Sequence, residues 1–340
     1  MSAPAVVILR TGLMTSVGGD APSSCAAIRS KLTNPVPSEF MDSTGAWITV
    51  HRVCVEGIEN GLSKLAGMAA AVAEEALRDV ARAEWTEIPV LLCVAEAARP
   101  GRLDHLDERL LRRIEEMLEA TFASQSAVIA QGRVGVAVAL AQARKMLETR
   151  VAHRVLIVAV DSLLCWLTLL HYDRCDRLLR QDNSNGFLPG EGAGALLVSE
   201  AGEQKGLLCT GIGFAREQAH IDSEQPLRAD GLARAIGAAL SEAGRAMEDF
   251  DFRITDLSGE QYYFKEAALA LARTLHRPKA EFDLWHPAEC IGEAGSLAGA
   301  AMIALADAAC RKGYAKGTNI IGHLSNDAGE RAALTLQFRS

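Results

Sequence analysis

The chain has 340 residues, of which 49% are apolar and only 5% aromatic, and its formal net charge is −8 at pH 7. A chain of this length can bury a large core, either as one large domain or as two halves that share an interface. The negative charge is spread over both halves with no basic run, which argues against nucleic acid as a partner. Because aromatic residues are few, the core must consist largely of Ala, Val, Leu and Gly, and such small side chains favour tightly packed layers.

The N-terminal sequence MSAPAVVILRTG has no basic segment before an apolar one, and no stretch approaches about 18 consecutive apolar residues. These features predict a cytoplasmic protein that does not bind a membrane. The eight cysteines form no CxxC pair and most lie in apolar runs, so we expect reduced, buried thiols. We expect no cofactor and no metal.

A repeated order of elements indicates an internal duplication. Residues 134–162 have the pattern of an Ala-rich helix, a polar turn and the buried strand RVLIVAV, and residues 297–326 have the same pattern. A glycine-led strand follows each, GEGAGALLV in the first copy and DAGERAALTL in the second, and residues 163–182 are an insertion in the first copy. We therefore predict an α/β fold in which two duplicated halves with mixed sheets, residues 1–201 and 206–340, pack in α-β-α-β-α layers.

Other segments complete this prediction. The apolar run IPVLLCV predicts a further buried strand, and residues 62–82 and 103–121 predict amphipathic helices with solvated charged faces. Residues 195–214, ALLVSEAGEQKGLLCTGIGF, predict a hairpin that adds antiparallel strands at a sheet edge.

The stretch NGFLPGEGAGALLV, residues 185–198, places four glycines around Glu191. Glycine lets backbone N–H groups approach an anion, so a phosphate site is one interpretation. The spacing fits neither a GxxxxGK[ST] loop nor a GxGxxG unit, because both precede a helix and here a strand follows. A packing role and a remnant of another kind of active site are the alternatives.

Taken together, these features resemble the thiolase superfamily and, within it, the β-ketoacyl synthases. Residues 9–30 resemble the first strand, glycine turn and helix of that family, and GFLPGEGAG is similar to its GFxxGEGAG segment. GEAGSLAGAAMIALADAACRKGY resembles the helix after its second histidine, and LSNDAGERAALTLQF its terminal loop and last strand. The resemblance covers nearly the whole chain, and GFLPGEGAG is its most specific part.

In that family the glycine-rich segment is structural, since its strand passes close beside the active-site helix. The resemblance therefore implies packing roles here, with the glutamate as a buried, hydrogen-bonded scaffold group. The residues concerned are Gly186, Phe187, Gly190, Glu191, Gly192 and Gly194.

A β-ketoacyl synthase needs a cysteine at a helix N-terminus and two histidines that stabilise the enolate. The resemblance places the nucleophile within AQGRVG, but no cysteine lies between Cys93 and Cys165. The two histidine positions correspond to Gly259 or Glu260 and to Glu293. The remnant-site candidates are thus Gln131, Gly132, Arg133, Val134, Glu260 and Glu293. All three catalytic positions depart from the family pattern, which argues against ordinary Claisen condensation.

Glutamine at the cysteine position marks decarboxylases and non-catalytic chain-length partners in that family, and the decarboxylases keep both histidines. The resemblance thus implies an inactive ketosynthase-like protein, either a silent partner subunit or an adaptor. Its implied partners are a second copy of the chain or a related ketosynthase, paired through strand 126–130, together with an acyl carrier protein or a type VI secretion effector. Gln131 could instead close its strand and cap the next helix.

The alternative is an acyl-thioester-binding or acyl-transfer enzyme with altered residues. Glu260 and Glu293 in a shared apolar pocket could have one pKa raised enough for acid–base catalysis. Either glutamate could also simply accept backbone N–H groups at a helix start.

A second cluster, HPAECIGE, brings His286, Glu289, Cys290 and Glu293 within eight residues. A Cys–His pair or a metal site can be drawn from them, but the intervening proline and glycine break the helical spacing that such a site needs. His323, within the predicted strand IIGHLSN, is typical of a core histidine.

Overall fold

Two sets of five strands, joined into one ten-stranded sheet, form the frame of the protein. The computed structural model describes residues 4–54 and 61–340. The order along the sheet is β10-β9-β11-β12-β8-β1-β7-β6-β4-β5, and β2 and β3 pair separately. The strands are β1 (Val6–Met14), β2 (Val36–Met41), β3 (Trp47–Val50), β4 (Val90–Cys93), β5 (Ala127–Ile129), β6 (Arg154–Ser162), β7 (Glu191–Glu200), β8 (Gly206–Arg216), β9 (Phe252–Thr255), β10 (Leu284–Trp285), β11 (Asn319–Ser325) and β12 (Glu330–Arg339).

The two sets of strands have the same order. In chain order within each set, the first strand lies beside the fifth, then come the fourth, the second and the third: β1-β7-β6-β4-β5 and β8-β12-β11-β9-β10. Parallel and antiparallel pairs occur in both sets. The layered α/β fold with duplicated halves and mixed sheets is therefore confirmed, although a short β1–β8 ladder at Val6–Ile8 joins the two sheets into one. The predicted boundary at residues 201–206 falls between β7 and β8.

Helices lie on both sides of this curved sheet. They are α1 (Ala21–Arg29), α2 (Gly61–Ala76), α3 (Leu106–Leu118), α4 (Gly135–Glu148), α5 (Trp166–Arg174), α6 (Asp230–Ala243), α7 (Gln261–Thr274), α8 (Ala288–Ile291) and α9 (Leu297–Arg311). The helices α4 and α9 contact each other and strands of both sets, so they form the central layer. Eleven of the fifteen residues of α9 are buried, as expected for a helix that is mostly apolar. None of the described helices is long and apolar enough to cross a membrane.

The predicted hairpin at residues 195–214 is wrong. Both strands form, as β7 and β8, but they do not pair with each other, because β1 lies between them. Strand β1 is antiparallel to β7 along most of its length and antiparallel to β8 at residues 6–8. The turn residues between the two strands suggested a hairpin. Instead, the backbone groups of β7 and β8 form hydrogen bonds with the N-terminal strand β1, which is distant in sequence.

The other predicted elements are present. The helix expected at 62–82 is α2, and that expected at 103–121 is α3, each shorter at its C-terminal end. The run IPVLLCV contains β4, which lies between two parallel neighbours and is completely buried. The insertion at 163–182 contains α5.

The glycines of β7 allow the sheet to approach the central layer closely. A Cβ added at Gly194 would lie 2.7 Å from the Cβ of Ala300, and one at Gly192 would lie 2.5 Å from the carbonyl oxygen of Met14. The close approach is thus to α9 and β1, whereas the family resemblance suggested the helix after the nucleophile position, α4.

We expect Gly194→Ala to lower the free energy of unfolding by about 1–3 kcal/mol, because the new methyl group overpacks the contact with Ala300. Gly237→Ala is the matched control, since that glycine is exposed inside α6 with no atom within 4 Å of an added Cβ. The control should raise stability by up to about 1 kcal/mol through helix propensity. Urea unfolding of both variants checks this, and equal effects would contradict the close packing.

Candidate functional site: a closed ion-pair network

The segment that the resemblance assigns to the nucleophile joins β5 to α4. A single 3₁₀ turn, Gly132–Val134, leads directly into α4. In the orientation of the Gln131 side chain that forms hydrogen bonds, its amide nitrogen faces the Glu330 carboxylate and donates to its two oxygens at 2.7 and 3.2 Å. It makes no side-chain cap to the turn, so the capping role considered for it is wrong.

Gly132 has a left-handed backbone with φ of 52°, and an added Cβ would lie 2.0 Å from a carboxylate oxygen of Glu96. Glycine is the residue that adopts this conformation without strain. Any side chain at position 132, including a cysteine, meets both a backbone penalty and a steric clash.

Arg133 lies in the 3₁₀ turn that precedes α4, and its side chain is buried. A buried cation is costly unless it is paired, so its neighbours must supply negative charge. Arg133 donates to Asp327 at 2.6 Å and to Glu293 at 3.3 Å. It also donates to the Tyr263 hydroxyl at 2.7 Å and lies over that ring, 4.5 Å from its centroid.

Arg177, from the insertion, forms the other half of the network. Its guanidinium donates to both carboxylate oxygens of Glu260, at 2.6 and 2.8 Å. It donates to Asp327 at 2.7 and 3.1 Å as well. Because Asp327 bridges Arg133 and Arg177, the structure brings together Arg133, Glu260 and Glu293, three of the residues singled out from the sequence.

Asp327 is the centre of the network. Although burial alone would raise its pKa, Arg133 and Arg177 hold the pKa of this carboxyl far below its usual range. The Tyr263 hydroxyl also donates to it. We call Arg133, Arg177, Glu260, Glu293 and Asp327, with Tyr263, the ion-pair network.

Glu293 differs from the other carboxylates of the network. It is completely surrounded by protein, and desolvation raises its pKa to about 7, against the opposing effect of Arg133. The nearby Asp256 carboxylate raises it further, while the backbone N–H of Gly295 donates to it at 2.9 Å and lowers it. Glu293 lies four residues before α9 and accepts the Gly295 N–H in the turn that leads into that helix, not an N–H of the helix itself.

The predicted shared apolar pocket for Glu260 and Glu293 is wrong, because each glutamate lies against a guanidinium. Glu260 also makes no cap to α7, since its carboxylate points to Arg177. Arg133, Glu260, Tyr263 and Glu293 are each less than 7% exposed. Paired side chains therefore fill the space between these positions.

The glycine-rich segment holds the two sides of this network in place. The backbone N–H of Phe187 donates to the Arg177 carbonyl at 3.0 Å, and that of Gly190 donates to the Glu293 carbonyl at 2.7 Å. A Cβ at Gly186 would lie 2.4 Å from the backbone of Leu178, and one at Gly190 would lie 2.4 Å from the Ile291 carbonyl. Close backbone packing on both sides is what requires glycine here.

Glu191 of the same segment is 1% exposed and fully paired. It accepts hydrogen bonds from Lys64 at 2.6 Å, from the backbone of Val53 at 3.0 Å and from the Ser162 hydroxyl at 2.8 Å. These bonds tie α2, β6 and the chain before residue 55 to β7.

One cysteine does lie beside the nucleophile position. A Cβ added at Gly135 would be 3.3 Å from the Cβ of Cys93, so Cys93 packs against the first turn of α4. Burial raises the pKa of its thiol far above the usual range, which removes the thiolate that attacks a carbonyl. Its position in the sequence, in a buried strand, gave no indication of this contact.

The HPAECIGE cluster does not converge on one point. Glu289 pairs with Lys31, the Cys290 thiol faces the Ile28 carbonyl at 3.9 Å, and Glu293 faces Arg133. Burial raises the pKa of Cys290 to about 11 and lowers that of His286. Among the residues that the structure describes, no group of three His, Cys, Asp or Glu side chains is arranged to hold a metal ion.

His323 lies in β11 between β9 and β12 and is 7% exposed. Burial lowers the pKa of its imidazole to about 3, and the positive charges of Arg253 and Arg331 act in the same direction. It is therefore a neutral histidine of the core.

Sequence reasoning missed Arg177, Asp327 and Tyr263. Each lies in a segment that the sequence marked for another reason: the insertion, the terminal glycine loop and the start of α7. For Arg177 and Asp327 the available signal was a charged residue in a segment of this kind, and for Tyr263 there was none. Their common location depends on contacts between residues 83 and 194 positions apart, such as Arg177–Glu260 and Arg133–Asp327.

Several solved structures have a fold similar to that of this chain. The ishigamide ketosynthase/chain length factor matches with a TM-score of 0.83, over 99% of this chain and 100% of that chain, at 18% identity. A ketosynthase in complex with its chain length factor from Xenorhabdus doucetiae matches with a TM-score of 0.78, over 98% of both chains, at 12% identity. A type II polyketide synthase acyl carrier protein in complex with its ketosynthase, bound to the hexaketide, gives 0.79 over 99% of this chain and 100% of that chain, at 14% identity.

This chain has the thiolase-like fold of ketosynthases and chain length factors. In sequence, it is similar to the "Putative polyketide beta-ketoacyl synthase 2" of Streptomyces cyaneus, with 34% identity over 130 residues. That match covers 36% of this chain and 30% of the relative's length. No family model matches the chain.

Arg177→Met should destabilise the ketosynthase-like fold by about 3–5 kcal/mol, because it leaves the buried Glu260 without a cation and the half-buried Asp327 with Arg133 alone. Arg113→Met is the control, since Arg113 forms an exposed pair with Glu116 at 3.0 Å. The control should cost less than about 1 kcal/mol. Denaturant unfolding measures both, and a cost below 1 kcal/mol for Arg177→Met would contradict the proposed coupling.

Glu293 predicts a pH dependence of stability. Its folded pKa of about 7 lies above the unfolded value of 4.5, so its contribution is fully present below pH 4.5 and is lost as the pH rises through 7. Wild type should therefore lose about 1–3 kcal/mol relative to Glu293→Gln between about pH 5 and about pH 8. Asp327, whose pKa is lowered, acts separately, since its contribution disappears only under acid conditions near and below pH 3.8.

The measurement is urea unfolding of wild type and Glu293→Gln at half-unit pH intervals. The neutral glutamine keeps an acceptor for the Gly295 N–H. Parallel curves for the two proteins from pH 5 to pH 8 would mean that Glu293 does not titrate in this window.

Proposed function

We propose that this chain is a catalytically silent subunit, similar to a chain length factor, that pairs with an active ketosynthase. The observation that carries the proposal is the ion-pair network at the positions that the resemblance assigns to the nucleophile and the two histidines. Those positions hold no thiol, and their charged groups are already paired with one another.

The chemistry of the network argues against condensation. Carbon–carbon bond formation on an acyl thioester needs a thiolate to carry the acyl group and hydrogen-bond donors aimed at the enolate oxygen. Here the helix N-terminus presents Arg133, and the two donor positions present the Glu260 and Glu293 carboxylates, which repel a developing oxyanion. Both guanidiniums are engaged by carboxylates, so neither is free to replace the missing donors.

A silent subunit must still present a surface to its partner, and β5 offers one. It is the edge strand of the sheet and pairs only with β4 in the described part of the chain. The Ile129 carbonyl accepts from Val94 on the β4 side, so the backbone groups of Val128, one residue before, face the open edge. An edge strand of this kind is stabilised by pairing with another chain.

The solved structures of similar fold support the choice of partner, since they include ketosynthases with their chain length factors and one with an acyl carrier protein. By this analogy, the partner is a cysteine-containing ketosynthase, and a carrier protein docks on the pair. A homodimer through β5 is the form that the chain takes without that partner. The link to a secretion effector stays a prediction, because no contact in the structure bears on it.

An altered acyl-transfer enzyme is the second candidate, and the pKa of Glu293 near 7 is the observation that favours it. A carboxyl group that titrates near neutral pH can act as a general acid or base. The burial of Glu293 behind Arg133 makes this candidate the weaker one.

Acylation separates the two candidates. We expect no acyl-enzyme when the chain is incubated with malonyl- or acetyl-CoA, because positions 131–134 hold no nucleophile and burial keeps Cys93 and Cys290 protonated. Intact-mass spectrometry is the measurement, with a cysteine-containing ketosynthase as the positive control. Gly132→Cys should also give no β-ketoacyl product, since both donor positions remain carboxylates. A stable adduct on residues 131–134 or on Cys290 would overturn the proposal.

Assembly provides an independent test. Light scattering at micromolar concentration should give a two-chain particle, with more than about 2,000 Å² buried in total, as obligate interfaces require. Val128→Pro removes the N–H that faces the open edge and should weaken association by about tenfold or more. Ala81→Pro is the control, because that residue already has a φ of −58° that suits proline. A folded monomer, both alone and when mixed with a ketosynthase from the same cells, would contradict the proposal.

A further inference from the structure

The outer face of α6 borders an open cavity of about 1010 Å³. Its lining is mixed, and its apolar residues include Ala233, Gly237, Leu240 and Met247. Helix α6 packs its other face on β8 and β12, so the cavity lies on the outside of the second half, away from the central layer. We call this cavity the α6 groove.

Positive charge predominates in the α6 groove although the chain as a whole has a charge of −8. Its lining includes four arginines and His276, but only two carboxylates, Glu217 and Asp230. Glu217 is buried and accepts the backbone N–H groups of Ala219 at 3.2 Å and Gly231 at 2.7 Å. The arginines are Arg228, Arg234, Arg245 and Arg273.

Most of these arginines have no acidic partner. Arg273 pairs with Asp230 at 2.8 Å. Within residues 4–54 and 61–340, no carboxylate lies within ion-pair distance of Arg228, Arg234 or Arg245. Two of these, Arg228 and Arg234, lie at the Asp230 end of the groove, where Arg273 is already paired with that carboxylate.

Three of the four arginines gather at one end of the groove. Arg273 donates to the Arg228 carbonyl at 3.0 Å, and Arg234 donates to the Asp230 carbonyl at 3.2 Å and to the Arg216 carbonyl at 2.9 Å. These backbone bonds hold two guanidiniums in fixed positions, while the Arg228 side chain is exposed beside them. Positioned guanidiniums suit bidentate recognition of phosphate oxygens.

We propose that the α6 groove binds a small phosphate ester. Its phosphate groups lie against Arg228, Arg234 and Arg273, and its apolar or heterocyclic body lies along Ala233 and Leu240. The volume of the cavity is at the upper end of the size range of small-molecule sites, and its lining combines apolar side chains with charged groups. A nucleic acid would need a longer basic surface than this acidic chain provides.

The test uses ADP, inorganic pyrophosphate and adenosine as probes with the full chain, measured by isothermal titration calorimetry. We expect ADP and pyrophosphate to bind and adenosine to bind at least about tenfold more weakly, because the charge-assisted bonds go to phosphate. The affinity for ADP should fall as NaCl rises from about 0.05 to about 0.5 M.

Arg228→Glu should weaken ADP binding by at least about tenfold. Because its side chain is exposed, the variant should keep the far-UV circular dichroism of wild type. Arg109→Glu, an equal charge change at an exposed position of α3, is the control and should leave the affinity within about twofold. No binding of ADP or pyrophosphate at millimolar concentration, equal affinity for adenosine and ADP, or equal losses in the two variants would each overturn the proposal. The test is independent of acylation and of dimerisation.

Discussion

The carboxylate of Asp327, held between the guanidiniums of Arg133 and Arg177, is the interaction on which the rest of this site depends. Two buried arginines that lie close together repel each other, so both need a shared anion. Asp327 supplies it, with contacts of 2.6 and 2.7 Å. Each arginine then engages a second carboxylate, Glu293 on one side and Glu260 on the other. One aspartate thereby joins the three positions that the resemblance assigns to the nucleophile and the two histidines.

Such a network is a poor source of stability but a strong constraint on geometry. Desolvation of five charged groups offsets most of their attraction, and the loss of one member leaves an uncompensated buried charge. The glycine-rich segment meets this constraint by fixing backbone positions, since it bonds to Arg177 on one side and to Glu293 on the other. This segment resembles a structural segment of the β-ketoacyl synthases, and here it holds in place a site whose charged groups are paired with one another. This arrangement is consistent with a subunit whose partner performs the reaction.

Periodicity and glycine spacing predicted most of the fold, because they act locally. The Ala-rich central helices, the buried strand β6 and the repeated order of elements follow from side-chain pattern alone. The predicted β7–β8 hairpin was wrong because β1 lies between these two strands, and β1 comes from the other end of the first half of the chain. The sequence also identified Arg133, as a candidate for the nucleophile position, and Glu260 and Glu293, as members of an apolar pocket. Their true partners, Arg177 and Asp327, are 83 and 194 residues from Glu260 and Arg133, and no local pattern reports pairing at such separations.

Native mass spectrometry of the complex isolated through a tag on this chain, after exposure to a malonylated carrier protein, tests the central claim most directly. The account predicts one ketosynthase chain for each copy of this chain, with all acyl mass on the ketosynthase. Acyl mass on this chain, or its recovery as a single folded subunit, would contradict the account.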